Sequence, residues 1–126
     1  MLDTYFPGYR PEDLRGRLPA DIEVASWMLT DGDKASALWI LATFDPADVR
    51  VWDNVRYDGI DFEAILIAGG WSPAENALLR AAASIAGYRL LYQVAVDLSE
   101  LASGLDEDRW SAFLGALAIR REKLYG

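Results

Sequence analysis

The sequence predicts a mainly α, single-domain fold, and three observations carry that expectation. Ser72-Pro73-Ala74-Glu75 reads as a capping box with proline at the first helical position, and it opens an Ala-rich run that stops at Gly87. Apolar residues recur at helical spacing in several other stretches, each bounded by Asp, Gly or Pro. The chain has 126 residues, 52% apolar and 25% charged, which is the size and balance of one domain with its own core.

Taken in order, residues 1–19 read as an arm punctuated by Pro7, Gly8, Pro11, Gly16 and Pro19, with Tyr5, Phe6 and Tyr9 between them. Glu12 to Arg15 suits one helical turn after Pro11. Ile22, Ala25 and Leu29 share a face and predict a helix over 19–30, ended by Asp31-Gly32. Asp33 is then a cap for a segment from Lys34 to Phe44. Its interior, Ala37-Leu38-Trp39-Ile40-Leu41, is apolar all round; length favours helix, while aromatic and β-branched content favours strand. Beyond Asp45-Pro46, the runs Val49–Trp52 and Val55–Tyr57 about Asp53-Asn54 fit a small β-hairpin (about 49–57) or a short helix from Pro46 to Asn54 equally well.

Asp61 caps a helix through Phe62, Ile65 and Leu66, closed by Gly69-Gly70. The Ala-rich helix (about 73–86) leaves only Asn76, Arg80 and Ser84 as a polar seam, so it is expected at the centre of a compact multi-helix domain. Alternation from Tyr88 to Val96 predicts one further short strand (about 88–96). A short helix over 99–103 ends at Gly104. Asp106 caps the last helix, about 107–123, with Trp110, Phe113, Leu114, Leu117 and Leu124 as its expected buried face. Glu107 and Asp108 at its start and Arg120, Arg121 and Lys123 at its end suit the helix dipole. One domain spanning 1–126 is expected.

The chain contains no Cys and no His. Disulfides, thiolate nucleophiles and the Ser-His-Asp and Cys-His triads are therefore excluded, as are the commonest metal ligands. No metal and no cofactor is expected. Twenty acidic residues against twelve basic ones give a net charge of −8, a poor field for nucleic acid or anionic membranes and a better one for a basic protein surface. Met1 to Pro7 lacks the basic and apolar regions of a signal peptide, and no apolar run is long enough to span a bilayer. A cytoplasmic protein is expected.

Four motifs invite a chemical reading. The helices at 99–104 and 107–123 have helix-turn-helix spacing, but the second opens with Asp106-Glu107-Asp108, which would meet phosphates; a plain helical hairpin is the reading. Asp31-Gly32-Asp33 resembles part of a calcium loop, yet the twelfth position is Ala42, so a turn and cap is the reading. Glu75 is explained by its capping box. Arg80 calls for a carboxylate partner if the polar seam is buried.

The acidic clusters at 45–63 and 97–108, near Trp52, Tyr57 and Trp110, carry the functional expectation: a non-enzymatic protein–protein interaction domain of inhibitor, immunity, antitoxin-like or adaptor type. Its candidate partner-binding residues are Asp53, Tyr57, Asp58, Asp106, Glu107, Asp108 and Trp110. The alternative is a small carboxylate-based enzyme or small-molecule-binding domain using Arg80. The aromatic arm offers a route to a homo-oligomer.

Overall fold

The last turn of one helix and the first of the next share a single, half-buried residue. In the computed structural model, α2 (Ser26–Thr30) ends and α3 (Gly32–Leu41) begins at Asp31, whose carboxylate accepts hydrogen bonds from the backbone N–H groups of Asp33 and Lys34. The cap is thus Asp31, two residues before the expected Asp33. The structure describes residues 8–88 and 95–125, with side chains to 121.

Helix wins over strand for α3 because every side chain from Ala35 to Leu41 is buried. A helix enclosed on all sides has no need of an amphipathic pattern. Ser36, the buried polar residue in that run, donates its hydroxyl proton toward the carbonyls of Gly32 (2.6 Å) and Asp33 (3.0 Å). Helix α8 (Glu107–Tyr125) lies antiparallel along α3. Arg120 pairs with Asp33 at 2.9 Å at one end, Trp39 meets Gly115 in the middle, and Thr43 shares a cleft with Asp108 at the other end. A Cβ on Gly115 would stand 2.8 Å from Trp39 Nε1, so glycine sets how closely these helices approach. That closeness also shifts the buried face of α8. Ala112, Phe113, Ala116 and Ile119 are buried, while Trp110, Leu114 and Leu117 are only partly so. Small residues win the inner positions because bulky ones would force the helices apart.

Helix α6 (Pro73–Ile85) packs against α3, α5 (Phe62–Ala68) and α7 (Leu98–Gly104). Its capping box is present in full: Glu75 N–H donates to Ser72 Oγ at 3.1 Å, and Ser72 N–H donates to Glu75 Oε1 at 2.9 Å. It is central, as its Ala content implies, but α3 is the more completely enclosed of the two. Gly69 (φ 72°), Gly70 (φ 76°) and Gly87 (φ 70°) hold the left-handed conformations that end α5 and α6.

Two segments depart from expectation. The helix over 19–30 shrinks to Ser26–Thr30, because Ala25 N–H donates instead to the Tyr57 carbonyl at 2.6 Å, a tertiary bond that overrides local periodicity. The 49–57 region divides. Asp48 caps a short helix, α4 (Val49–Trp52), and the hairpin follows it: β1 (Val55–Arg56) pairs antiparallel with β2 (Gly59–Ile60), Val55 facing Ile60. Its turn is Tyr57-Asp58 and not Asp53-Asn54. Val51 and Trp52 are buried side by side, and the Trp52 indole N–H donates to the Asp45 carbonyl at 2.9 Å, contacts a strand's alternation does not allow.

In the arm, α1 (Pro11–Arg15) buries Leu14 as the turn after Pro11. Tyr9 packs back on the chain's own core: its hydroxyl donates to the Leu29 carbonyl and its ring meets Trp39 edge-on at 6.4 Å. Tyr5, Phe6 and most of the expected 88–96 strand lie outside the described residues. Among the described residues no helix is long and apolar enough to cross a membrane.

Candidate functional site

The acidity of the chain is first a consequence of short helices. Each helix start leaves backbone N–H groups without partners, and an aspartate at the N-cap supplies one. Asp31, Asp48, Asp61, Asp97 and Asp106 each accept such a bond, at the starts of α3, α4, α5, α7 and α8. Asp33 is held by Arg120, and Asp45 turns back onto Ala47 N–H. Glu75 adds a 3.7 Å pair with Arg109 to its capping role. Asp48 is the most tightly bound: Arg50 Nε and Nη2 donate to its two oxygens at 3.0 and 2.8 Å. Those hydrogen bonds hold its carboxyl below the usual carboxylate range.

The acids left over mark the surfaces that the fold itself does not use. Asp21, Glu23, Asp53, Asp58, Glu107 and Asp108 are exposed and form no ion pair within 4.0 Å among the described residues. Glu12 on α1 is exposed and unpaired in the same sense, and two groups stand near aromatic side chains. At the hairpin, Tyr57 stands 59% exposed beside Asp58, and Arg56 is drawn toward Asp61 at 3.8 Å. At the start of α8, Asp106, Glu107 and Asp108 are exposed, but Trp110 is half-buried against Phe113 (5.7 Å between centroids). Of the three aromatics near the acidic clusters, Trp52 is in the core, Trp110 is partly covered, and Tyr57 projects into solvent.

Trp27 is the residue that sequence reasoning passed over. It is 47% exposed on α2, next to buried Met28 and Leu29. The signal was present: Ile22, Ala25 and Leu29 define one face, and Trp27 lies off it.

Two concavities bear on the alternative reading. A cleft of about 520 Å³ is lined by Arg17, Trp39, Thr43, Asp106, Asp108 and Arg109 among others. Arg17 lies over the Trp39 ring at 4.2 Å, and partial desolvation pulls its guanidinium below the ordinary arginine value, against the opposing charge of Asp108. A hollow of about 330 Å³ contains Arg80 with Asn76, Asp97 and Glu100. Arg80 bonds to Asn76 Oδ1 at 3.3 Å rather than to a carboxylate. Among the described residues no carboxylate belongs to the buried set, and no group of three acids is placed to hold a metal ion. Comparison with protein-family models, curated proteins and solved structures finds no match for this chain.

Proposed function

We propose that the protein is a non-catalytic interaction domain that presents an acidic, aromatic-bearing surface to a basic protein, in the manner of an inhibitor, immunity protein or adaptor. The observation that supports this most is the hairpin tip. Tyr57 is a large amphipathic side chain held in solvent beside Asp58, which forms no ion pair among the described residues, on a turn tied down by the Ala25–Tyr57 backbone bond. An ordered, exposed tyrosine with an acidic rim is the composition of a binding anchor.

The experiment is affinity capture from native lysate followed by surface plasmon resonance against the captured protein across a salt series. Exposed carboxylates steer encounter, and the Debye length falls from about 10 Å at 0.1 M to about 3 Å at 1 M. Association is therefore expected to slow with salt more than dissociation speeds up. Reversing Asp53 and Asp58, or Glu107 and Asp108, to Lys is expected to lower the on-rate. A salt-independent on-rate, unchanged by both reversals, refutes the proposal.

The second reading, small-molecule binding, rests on the hollow around Arg80, where Asp97 and Glu100 are close without pairing to it. A metabolite that raises the melting temperature of the parent protein but not of Arg80→Ala selects that reading.

A further inference from the structure

We propose that Trp27 and Tyr57 together anchor an arginine-bearing cationic segment of another protein; this rests on the interaction-domain reading above and names the site and the chemistry of contact. Four enclosed or half-buried rings of the fold carry one of its own cations. Arg17 lies over Trp39 (4.2 Å), Arg50 over Trp71 (3.7 Å), Arg109 over Phe44 (4.7 Å) and Lys34 over Tyr88 (4.9 Å). Trp27 and Tyr57, the two most exposed rings among the described residues, have no such cation there.

The two segments that carry these rings meet. The hydrogen bond from Ala25 N–H to the Tyr57 carbonyl, 2.6 Å, joins their segments. Trp27 and Glu23 each lie two residues from Ala25, within about 8 Å of chain. Glu23 and Asp21 on one segment and Asp58 on the other are exposed carboxylates without ion pairs among the described residues. Arg56, next to Tyr57 in the chain, is turned to Asp61. Exposed carboxylates on the same two segments as these uncovered rings are complementary to a guanidinium. That planar cation stacks on a ring and bonds two carboxylate oxygens at once, which an ammonium does less well.

The test uses fluorescence anisotropy of a fluorescein-labelled arginine–glycine repeat peptide, with a lysine–glycine peptide of equal charge as comparison. The variant W27A/Y57A leaves net charge unchanged. It is expected to weaken the arginine peptide by about tenfold, the scale of lost stacking on two rings. The lysine peptide is expected to bind the parent protein more weakly than the arginine peptide. The variant E107Q/D108N removes two charges elsewhere and is expected to weaken binding by less than about threefold. Should W27A/Y57A melt early, Tyr57→Ala alone, at the hairpin turn, is expected to weaken binding by about threefold with an unchanged melting curve.

Equal binding by the parent and the aromatic variants overturns the proposal. So does an equal loss in E107Q/D108N, which would make net charge the cause. Self-association of the parent protein that W27A/Y57A abolishes would show a second copy to be the occupant, and also overturns it. A captured protein partner that ignores Trp27 and Tyr57 but is lost on charge reversal at Glu107 and Asp108 overturns this site while leaving the interaction-domain reading standing.

Discussion

The α3–α8 interface and the α2–hairpin face are built from the same residue types and put them to opposite uses. In the first, Trp39 is almost wholly enclosed, roofed by Arg17 and pressed against Gly115, and Asp33 is spent on Arg120. In the second, Trp27 and Tyr57 face solvent, and Asp21, Glu23 and Asp58 bond to no cation among the described residues. An aromatic ring or an aspartate therefore says little about function by its identity. What separates structure from candidate function is whether the chain supplies the residue with a partner.

That contrast predicts a graded series of effects, each readable by thermal melting. Leu38→Ala in the enclosed helix is expected to cost about 3 kcal/mol and to lower the melting temperature by roughly 10 °C, since Leu38 is fully buried. A loss below about 1 kcal/mol would mean that α3 is not the packed centre. Gly115→Ala is expected to cost about 1–2 kcal/mol even though alanine favours helix, because its methyl would meet the Trp39 indole. A stabilised Gly115→Ala would show that the two helices are free to separate.

Asp48 and Asp58 sharpen the comparison, since one carboxylate is used and the other is not. Asp48→Ala is expected to cost about 1 kcal/mol at neutral pH, the ordinary worth of a lost N-cap. Because Arg50 depresses the folded pKa of Asp48, the stability it contributes is complete above the unfolded carboxylate value, about 4, and is lost as pH falls through the lower folded value. The variant and the parent should therefore converge on the acid side, and parallel curves down to strongly acid pH would contradict the pairing. Ser72→Ala, at a site belonging to neither region, is likewise expected to cost about 1 kcal/mol through its capping box. Tyr57→Ala and Asp58→Asn are expected to change stability by less than about 0.5 kcal/mol. A large loss at either would place the hairpin tip among the structural elements.

Much of the fold was legible in local chemistry. The Ser72 box, the Asp61 and Asp106 caps, the closing glycines at 69–70 and the helix after Pro11 depend on residues a few positions apart, and each appears where the pattern puts it. What was not legible depends on contacts distant in the chain. The pairing of Ala25 with Tyr57 truncated α2, and the approach of Trp39 to Gly115 rotated the buried face of α8 toward Ala112 and Ala116. Of the candidate residues, Asp53, Tyr57, Asp58 and the acids opening α8 are exposed, while Trp110, read both as part of the buried face of α8 and as a candidate contact, is half-buried against Phe113; the exposure of Trp27 was not read from the pattern. Acid density could not separate caps from free carboxylates, because a cap is recognised only when the helix start is in place.

The single-residue joint at Asp31 has a mechanical consequence. The Trp27 carbonyl accepts from Asp31 N–H at 2.8 Å, and the same Asp31 anchors α3. Met28 and Leu29, directly after Trp27, are locked in the interior. The backbone beneath the indole is thus fastened to the buried core, like a fitting bolted to a frame. A partner docking on that ring, as proposed, would meet backbone already held by these bonds, so little ordering entropy would be forfeited on contact and the speed of capture would follow diffusion and charge rather than rearrangement.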